Sequence, residues 1–175
     1  MIYLKEYNNY DNEVAEICKR YGIYNWSIRD GLVDVDGNVD LRSKKLDKLP
    51  LKFGRVSGYF GCGYNELTSL IGAPRQVGGN FICNDNKLTS LEGAPKEVGG
   101  GFYCAHNKLT TLEHIPDVEG HIDIYNNPLP REVRYLKQEM LKKVVKDQDF
   151  YEIWRDGELF LPRWRELKLD LGLLI

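Results

Sequence analysis

The stretch Leu67-Thr68-Ser69-Leu70-Ile71-Gly72-Ala73-Pro74-Arg75-Gln76-Val77-Gly78-Gly79-Asn80-Phe81-Ile82-Cys83 returns 21 residues later as Leu88-Thr89-Ser90-Leu91-Glu92-Gly93-Ala94-Pro95-Lys96-Glu97-Val98-Gly99-Gly100-Gly101-Phe102-Tyr103-Cys104. The match extends outward in both directions. Val56, Val77, Val98 and Val118 form one column, Gly37, Gly58, Gly79, Gly100 and Gly120 a second, and Asn65, Asn86, Asn107 and Asn127 a third. The final step is 20 residues, because one residue is missing between Pro116 and Val118. Upstream, Gly37-Asn38-Val39-Asp40-Leu41 overlays Gly58-Tyr59-Phe60-Gly61-Cys62, but Lys44 stands where later units carry Asn. End units of an array are usually atypical, so this reads as the first coil. A fixed period of about 20 residues denotes a solenoid, whose units cannot bury their apolar face alone and must stack on neighbours.

Each unit reads G-x-F-x-C-x-x-N-x-L-x-x-L. Phe81 and Cys83 alternate with Asn80 and Ile82, a period of two that predicts short strands around Gly79 to Cys83 and its equivalents, one face inward. Such strands stack into a parallel sheet at about 4.8 Å per coil. A 21-residue turn leaves no room for a helix on the return leg, and Gly72-Ala73-Pro74 or Gly93-Ala94-Pro95 would break one. The return leg is therefore expected to be extended or 3₁₀. Leu67, Leu70, Leu88, Leu91, Leu109 and Leu112, with Val77, Val98, Phe81 and Phe102, form the inward stripe. The Asn column falls where the chain leaves each strand, placed to hydrogen-bond turn backbone in its own and the neighbouring coil.

The string F-x-C-x-x-N-x-L-x-x-L resembles the short leucine-rich repeat. The fuller wording L-T-S-L-E-G-A-P-K-E-V-G-G-x-F-x-C-x-x-N-K-L-T resembles repeats in hypothetical proteins of tailed bacteriophages and some giant viruses. The resemblance covers roughly residues 31 to 130. It implies an α/β solenoid, a right-handed leucine-rich-repeat-like coil with a short parallel sheet, of the protein-binding class to which leucine-rich repeats belong, and a phage origin; the phage proteins that share the wording carry no role over to this chain, and the expected partner of a phage accessory protein is a bacterial host protein. Bacterial effector ligases with similar repeats add a large catalytic domain, for which the 45 residues after the last coil are too few.

Among 175 residues, 24 basic and 26 acidic side chains give a net charge of −2. That balance lacks the broad positive field on which non-specific binding to nucleic acid or anionic membrane depends. Met1-Ile2-Tyr3-Leu4-Lys5-Glu6 has no signal-peptide apolar core, and no apolar run approaches the roughly 20 residues of a membrane span. The expectation is a cytoplasmic protein.

The ends break the period and read as caps. In residues 1–30, Val14, Ile17, Cys18 and Tyr21 mark the apolar face of a helix capped near Asn9 to Asp11 and stopped by Gly22. Arg29-Asp30-Gly31 between Trp26-Ser27-Ile28 and Leu32-Val33-Asp34-Val35 is a hairpin signal leading into about five coils over 31–130. Within 131–175, Val133, Leu136, Met140 and Val144 mark one face of a second helix over 131–146, on which six cations face only Glu132 and Glu139. Phe150, Tyr151, Trp154, Phe160 and Trp164 are too many large aromatics for a disordered tail and are expected to pack on the last coil.

Cys62, Cys83 and Cys104 occupy inward positions, equivalent to Leu41 and Ile124, and read as core, with no C-x-x-C spacing to mark a metal site. No cofactor or metal is expected. The outward strand positions form a grid, on which Tyr59, Ile82, Tyr103, His121, Asp123 and Tyr125 stand without a structural requirement for large groups. Tyr is enriched at binding hot spots, so a protein partner docking on this concave strand face is the first functional reading. A second is nucleic-acid binding by the basic helix 131–146, with Tyr103 and Tyr125 stacking on unpaired bases. A third is a small enzyme using His121 and Asp123 as acid and base.

Overall fold

A computed structural model describes residues 2–172 of the chain. Helix α1 (Ile2–Tyr21) leads into a hairpin of β1 (Trp26–Arg29) and β2 (Leu32–Val35). Asp30 and Gly31 both have positive φ, 52° and 72°, the condition for the two-residue turn that matches strand twist. The chain then winds as a β-solenoid. Two short strands recur per coil: β3 (Val39–Asp40) follows β2, then come β4 (Phe53–Val56) and β5 (Phe60–Gly61), β6 (Gln76–Val77) and β7 (Phe81–Ile82), β8 (Glu97–Val98) and β9 (Phe102–Tyr103), β10 (Asp117–Val118) and β11 (Ile122–Asp123).

The return leg is extended, as expected, but it forms a sheet of its own rather than leaving a single one. The first sheet runs β1-β2-β4-β6-β8-β10, parallel except for β1, and the second runs β3-β5-β7-β9-β11, parallel throughout. The physical reason is the Val column. Gln76-Val77-Gly78 and Glu97-Val98-Gly99 alternate exposed, buried, exposed, and a single inward residue per strand is too short a pattern to announce a strand. At the corner between the sheets the Gly column continues the pairing: Gly79 N–H donates to Gly58 C=O at 2.9 Å and Gly100 N–H to Gly79 C=O at 3.0 Å.

Phe60, Phe81 and Phe102 stack face to face inside, with ring centroids 5.6 and 5.7 Å apart and planes 6° off parallel. Phe53 closes the stack edge-on at 5.1 Å from Phe60. The six Leu of the inward stripe and the three Cys are wholly buried. Each large apolar side chain so placed stabilises by about 1.5 to 3 kcal/mol relative to exposure.

At the N-terminus, α1 begins at Ile2, so Asn9 and Asp11 lie inside it and do not start it. Residues 2–10 contain neither Gly nor Pro, and nothing stops a helix anchored by buried Val14 and Cys18 from growing backward over them. At the C-terminus, the single helix expected over 131–146 is two: α2 (Arg131–Arg134) and α3 (Gln138–Tyr151), broken at an extended Lys137. The break sets Gln138 against the last strand. Its Oε1 accepts from Ile122 N–H at 3.0 Å and its Nε2 donates to Ile122 C=O, so one amide side chain takes the place of a further strand. Farther along α3, Gln148 Nε2 donates to Leu112 C=O at 3.2 Å while its Oε1 accepts from Trp154 Nε1 at 2.7 Å.

A second hairpin, β12 (Trp154–Arg155) and β13 (Glu158–Leu159), follows before α4 (Leu161–Asp170). It turns on Asp156 and Gly157 with φ 53° and 76°, the same Arg-Asp-Gly wording as the first hairpin. Trp154, Trp164 and Leu167 are buried, in keeping with an ordered tail, while the side chain of Phe150 lies outside the described residues.

Candidate functional site

The outward grid is held in place by its turns. Ser43, Tyr64, Asp85, His106 and Asn126 each adopt a left-handed backbone, φ between 53° and 57°, and from Tyr64 onward each directly precedes a member of the Asn column. That column works as its position predicts. Asn86 Oδ1 accepts from Leu67 N–H at 2.9 Å, and its Nδ2 donates to Cys62 C=O at 3.0 Å and Cys83 C=O at 3.1 Å. Asn107 and Asn127 repeat the arrangement one and two coils on. Each Asn thus ties its own turn to the previous coil, and the strands between turns are fixed in register.

All six predicted contact residues lie on the outer face of the second sheet, which divides into two groups. At the first-coil end, Arg42 hydrogen-bonds Asp40 through Nε at 2.8 Å and Nη2 at 2.7 Å. The guanidinium holds the Asp40 carboxyl low, at about 2. Its stem covers Gly61, where a β-carbon would stand 3.2 Å from Cδ, and the guanidinium carbon sits 5.7 Å from the Tyr59 ring centroid. Tyr59 is half-buried as a result.

At the last-coil end, the Tyr103 ring folds over Gly101, where a β-carbon would meet it at 2.6 Å, and its centroid lies 6.2 Å from that of His121. Tyr125 is 74% exposed, with His106 edge-on at 6.0 Å. The Asn126 amide meets His106 Nδ1 at 2.9 Å, and Asp123 Oδ1 accepts the Tyr125 N–H at 3.1 Å. Ile82 is half-buried midway, so Tyr59 stands two coils from Tyr103.

His121 and Asp123 share this face, but among the described residues no hydrogen bond joins them. Nor do three His, Cys, Asp or Glu side chains gather there as a metal would need. Burial pushes the Cys62 and Cys83 thiols well above their ordinary value and Cys18 to about 11, which suppresses the thiolate and its nucleophilicity.

A second surface is not evident from the sequence. Along the first sheet runs an open groove of about 1180 Å³, lined by Gly72, Ala73, Gly93 and Ala94 and by Lys52, Arg55, Arg75 and Lys96. Its only signal in the chain is the recurring Gly-Ala-Pro, which reads equally as a helix-breaking turn. No described helix is long and apolar enough to cross a membrane. Comparisons with protein-family models, with curated proteins and with solved structures give no match.

Proposed function

We propose that this chain is a leucine-rich-repeat-like protein-binding solenoid whose partner docks on the outer face of the second sheet, the face expected to be concave. The observation that carries the reading is the aromatic group at the last-coil end. Tyr103 is pressed over Gly101 beside His121, so its ring has little entropy left to lose on binding, and Tyr125, edge-on to His106, presents a large exposed ring next to it. Tyr59 beside the Asp40–Arg42 pair offers a second, more polar contact two coils away. The wording of the repeats supports a phage-encoded protein acting on a host protein in the bacterial cytoplasm.

The ends serve as caps in this reading. Gln138 occupies the Ile122 N–H and C=O that a further coil would otherwise claim, and Gln148, donating to Leu112 C=O, ties α3 to the last coil. Truncation after Pro130 is expected to expose the apolar edge of the last coil and to give a fragment that aggregates on purification, because solenoids need polar caps for solubility. A monomeric fragment with an unchanged melting curve would show that residues 131–175 are an independent module.

Tyr103→Ala combined with Tyr125→Ala should reduce capture of the partner from a bacterial lysate, quantified by mass spectrometry, at least tenfold, a loss of about 1.4 kcal/mol or more. Tyr125→Ala by itself should leave melting nearly unchanged, since exposed substitutions usually remain within about 0.5 kcal/mol, whereas Tyr103→Ala also uncovers Gly101 and should cost about 1 kcal/mol, too little to unfold the chain. The rival reading, nucleic acid on the basic segment 131–146, is weakened because Arg134 and Lys142 already donate to carbonyls of Leu129 and Glu119. Undiminished capture by the double Tyr variant, with loss on neutralising Lys143 and Lys146, would move the site there.

A further inference from the structure

We propose that the open edge of β1 is a self-association site, at which a second copy of this chain adds its own β1 antiparallel across a two-fold axis at Ser27. Backbone accounting points to this edge. In the first hairpin Trp26 lies opposite Val35, Ser27 opposite Asp34, Ile28 opposite Val33 and Arg29 opposite Leu32, and Asp36 N–H donates to Asn25 C=O at 2.9 Å. Opposed residues of an antiparallel pair alternate between bonded and non-bonded, so Asn25, Ser27 and Arg29 direct their backbone groups to β2, while the N–H and C=O of Trp26 and Ile28 point away from it. Among the described residues no hydrogen bond reaches those groups from another element, and the bond from α1 to this hairpin, Tyr10 hydroxyl to Gly31 C=O at 2.9 Å, ends on the turn. The far ends of both sheets are covered instead, β11 by Gln138 and β10 by α3, whose Lys142 donates to Glu119 C=O at 2.8 Å.

The residues of the edge select a second copy as the occupant. Edge strands are ordinarily blunted by proline, a bulge or an inward charge, and Trp26-Ser27-Ile28-Arg29 has none of these, its inward side chains being the half-buried Trp26 and Ile28. Laid antiparallel on itself with the two-fold at Ser27, the strand sets Trp26 against Ile28 of the second copy; each such pair exchanges two bonds, and symmetry makes two pairs. A two-fold at Ile28 would set Trp26 against Asp30, in the turn at φ 52°, and one at Trp26 would set Ile28 against Tyr24, beyond Asn25 at φ 53°, so only the Ser27 axis engages both residues in extended backbone. Charge agrees with this register. Ser27 faces Ser27 and Arg29 faces Asn25, so no like charges meet, and Arg29 is already held by Asp34 at 3.4 Å. The pairing joins two six-stranded sheets through their antiparallel strands and is closed by its own symmetry.

The test is sedimentation velocity of the full chain between about 10 µM and about 1 mM, the range that suits an association resting on so short an edge. The parent should shift from monomer toward dimer, and hydrogen exchange at the Trp26 and Ile28 amides should slow at the higher concentration. Ser27 is exposed, and its place in the non-bonded pair at the axis brings it closest to its counterpart. Ser27→Lys and Ser27→Asp should therefore each weaken the dimer at least tenfold, by setting like charges face to face. Asp34, opposite Ser27 on β2, relieves the repulsion in the first variant and adds to it in the second, so an equimolar mixture of the two decides. The mixture should associate at least as tightly as the parent, which also shows that both variants are folded. A parent that stays monomeric throughout, unchanged exchange at both amides, a dimer that either variant leaves intact, or a mixture that fails to associate would overturn the proposal.

Discussion

Gly100→Ala is expected to destabilise the chain by about 3 kcal/mol, the upper end of the cost of overpacking, and to lower its melting temperature by roughly 6 to 12 °C. The cause is inter-coil contact. A β-carbon at Gly100 would stand 2.7 Å from the carbonyl carbon of Gly79 and 2.9 Å from the backbone nitrogen of Asn80, closer than any real β-carbon comes, and backbone cannot swing aside as a side chain can. Relief requires coils to part where Gly100 N–H meets Gly79 C=O, which breaks the corner between the two sheets. Because each coil touches only its neighbours, a wedge in the middle of the stack also divides its cooperativity. Thermal melting by circular dichroism should show a broadened or two-step transition. Gly31→Ala is the contrast, since Gly31 has φ 72° but open space around it, so its cost is backbone strain of about 1 to 2 kcal/mol with a single transition. A Gly100→Ala variant melting within a degree of the parent would show that the coils are not held at this spacing.

Asn86→Asp should be the more damaging change at neutral pH, by about 3 to 5 kcal/mol, the cost of an uncompensated buried charge. Asn86 is 8% exposed, and its Nδ2 faces the carbonyl oxygens of Cys62 and Cys83. A carboxylate there meets two acceptors and has no hydrogen to give. The protonated acid can still accept from Leu67 N–H and donate to one carbonyl, so the folded state holds this group's pKa above the unfolded value of about 3.9. The sign follows: the variant should approach the parent below about pH 4 and lose ground steadily as pH rises. Asn86→Ala provides the control. It orphans the Leu67 N–H but leaves Cys62 C=O with Asn65 and Cys83 C=O with Asn107, so it should cost about 1 to 3 kcal/mol independently of pH. Parallel pH profiles for the two variants, followed by urea unfolding, would contradict the hydrogen-bond assignment.

Gly100 and Asn86 are both legible in the amino-acid sequence, and for the same reason. A 21-residue period returns one residue type to one place in every coil, so a column of Asn or Gly has to be read as a stack of equivalent contacts, and the inward Phe, Cys and Leu are fixed by the same periodicity. Local turn chemistry is equally readable at Arg29-Asp30-Gly31, and the same three letters at 155–157 carry a second hairpin that the aromatic-rich tail obscures. Tertiary structure decides what does not repeat or is too short to show a pattern. The Val column becomes a sheet of its own, the first sheet, because neighbouring coils supply its hydrogen bonds, whereas one inward residue per strand carries no alternation of its own. The break before Gln138 depends on the free edge of β11, a partner 16 residues away that no helical periodicity within 131–146 encodes. Periodicity alone puts Tyr59 and Tyr103 on the outer face, but only their neighbours in space, Arg42 over one ring and Gly101 beneath the other, determine how much of each ring is left exposed.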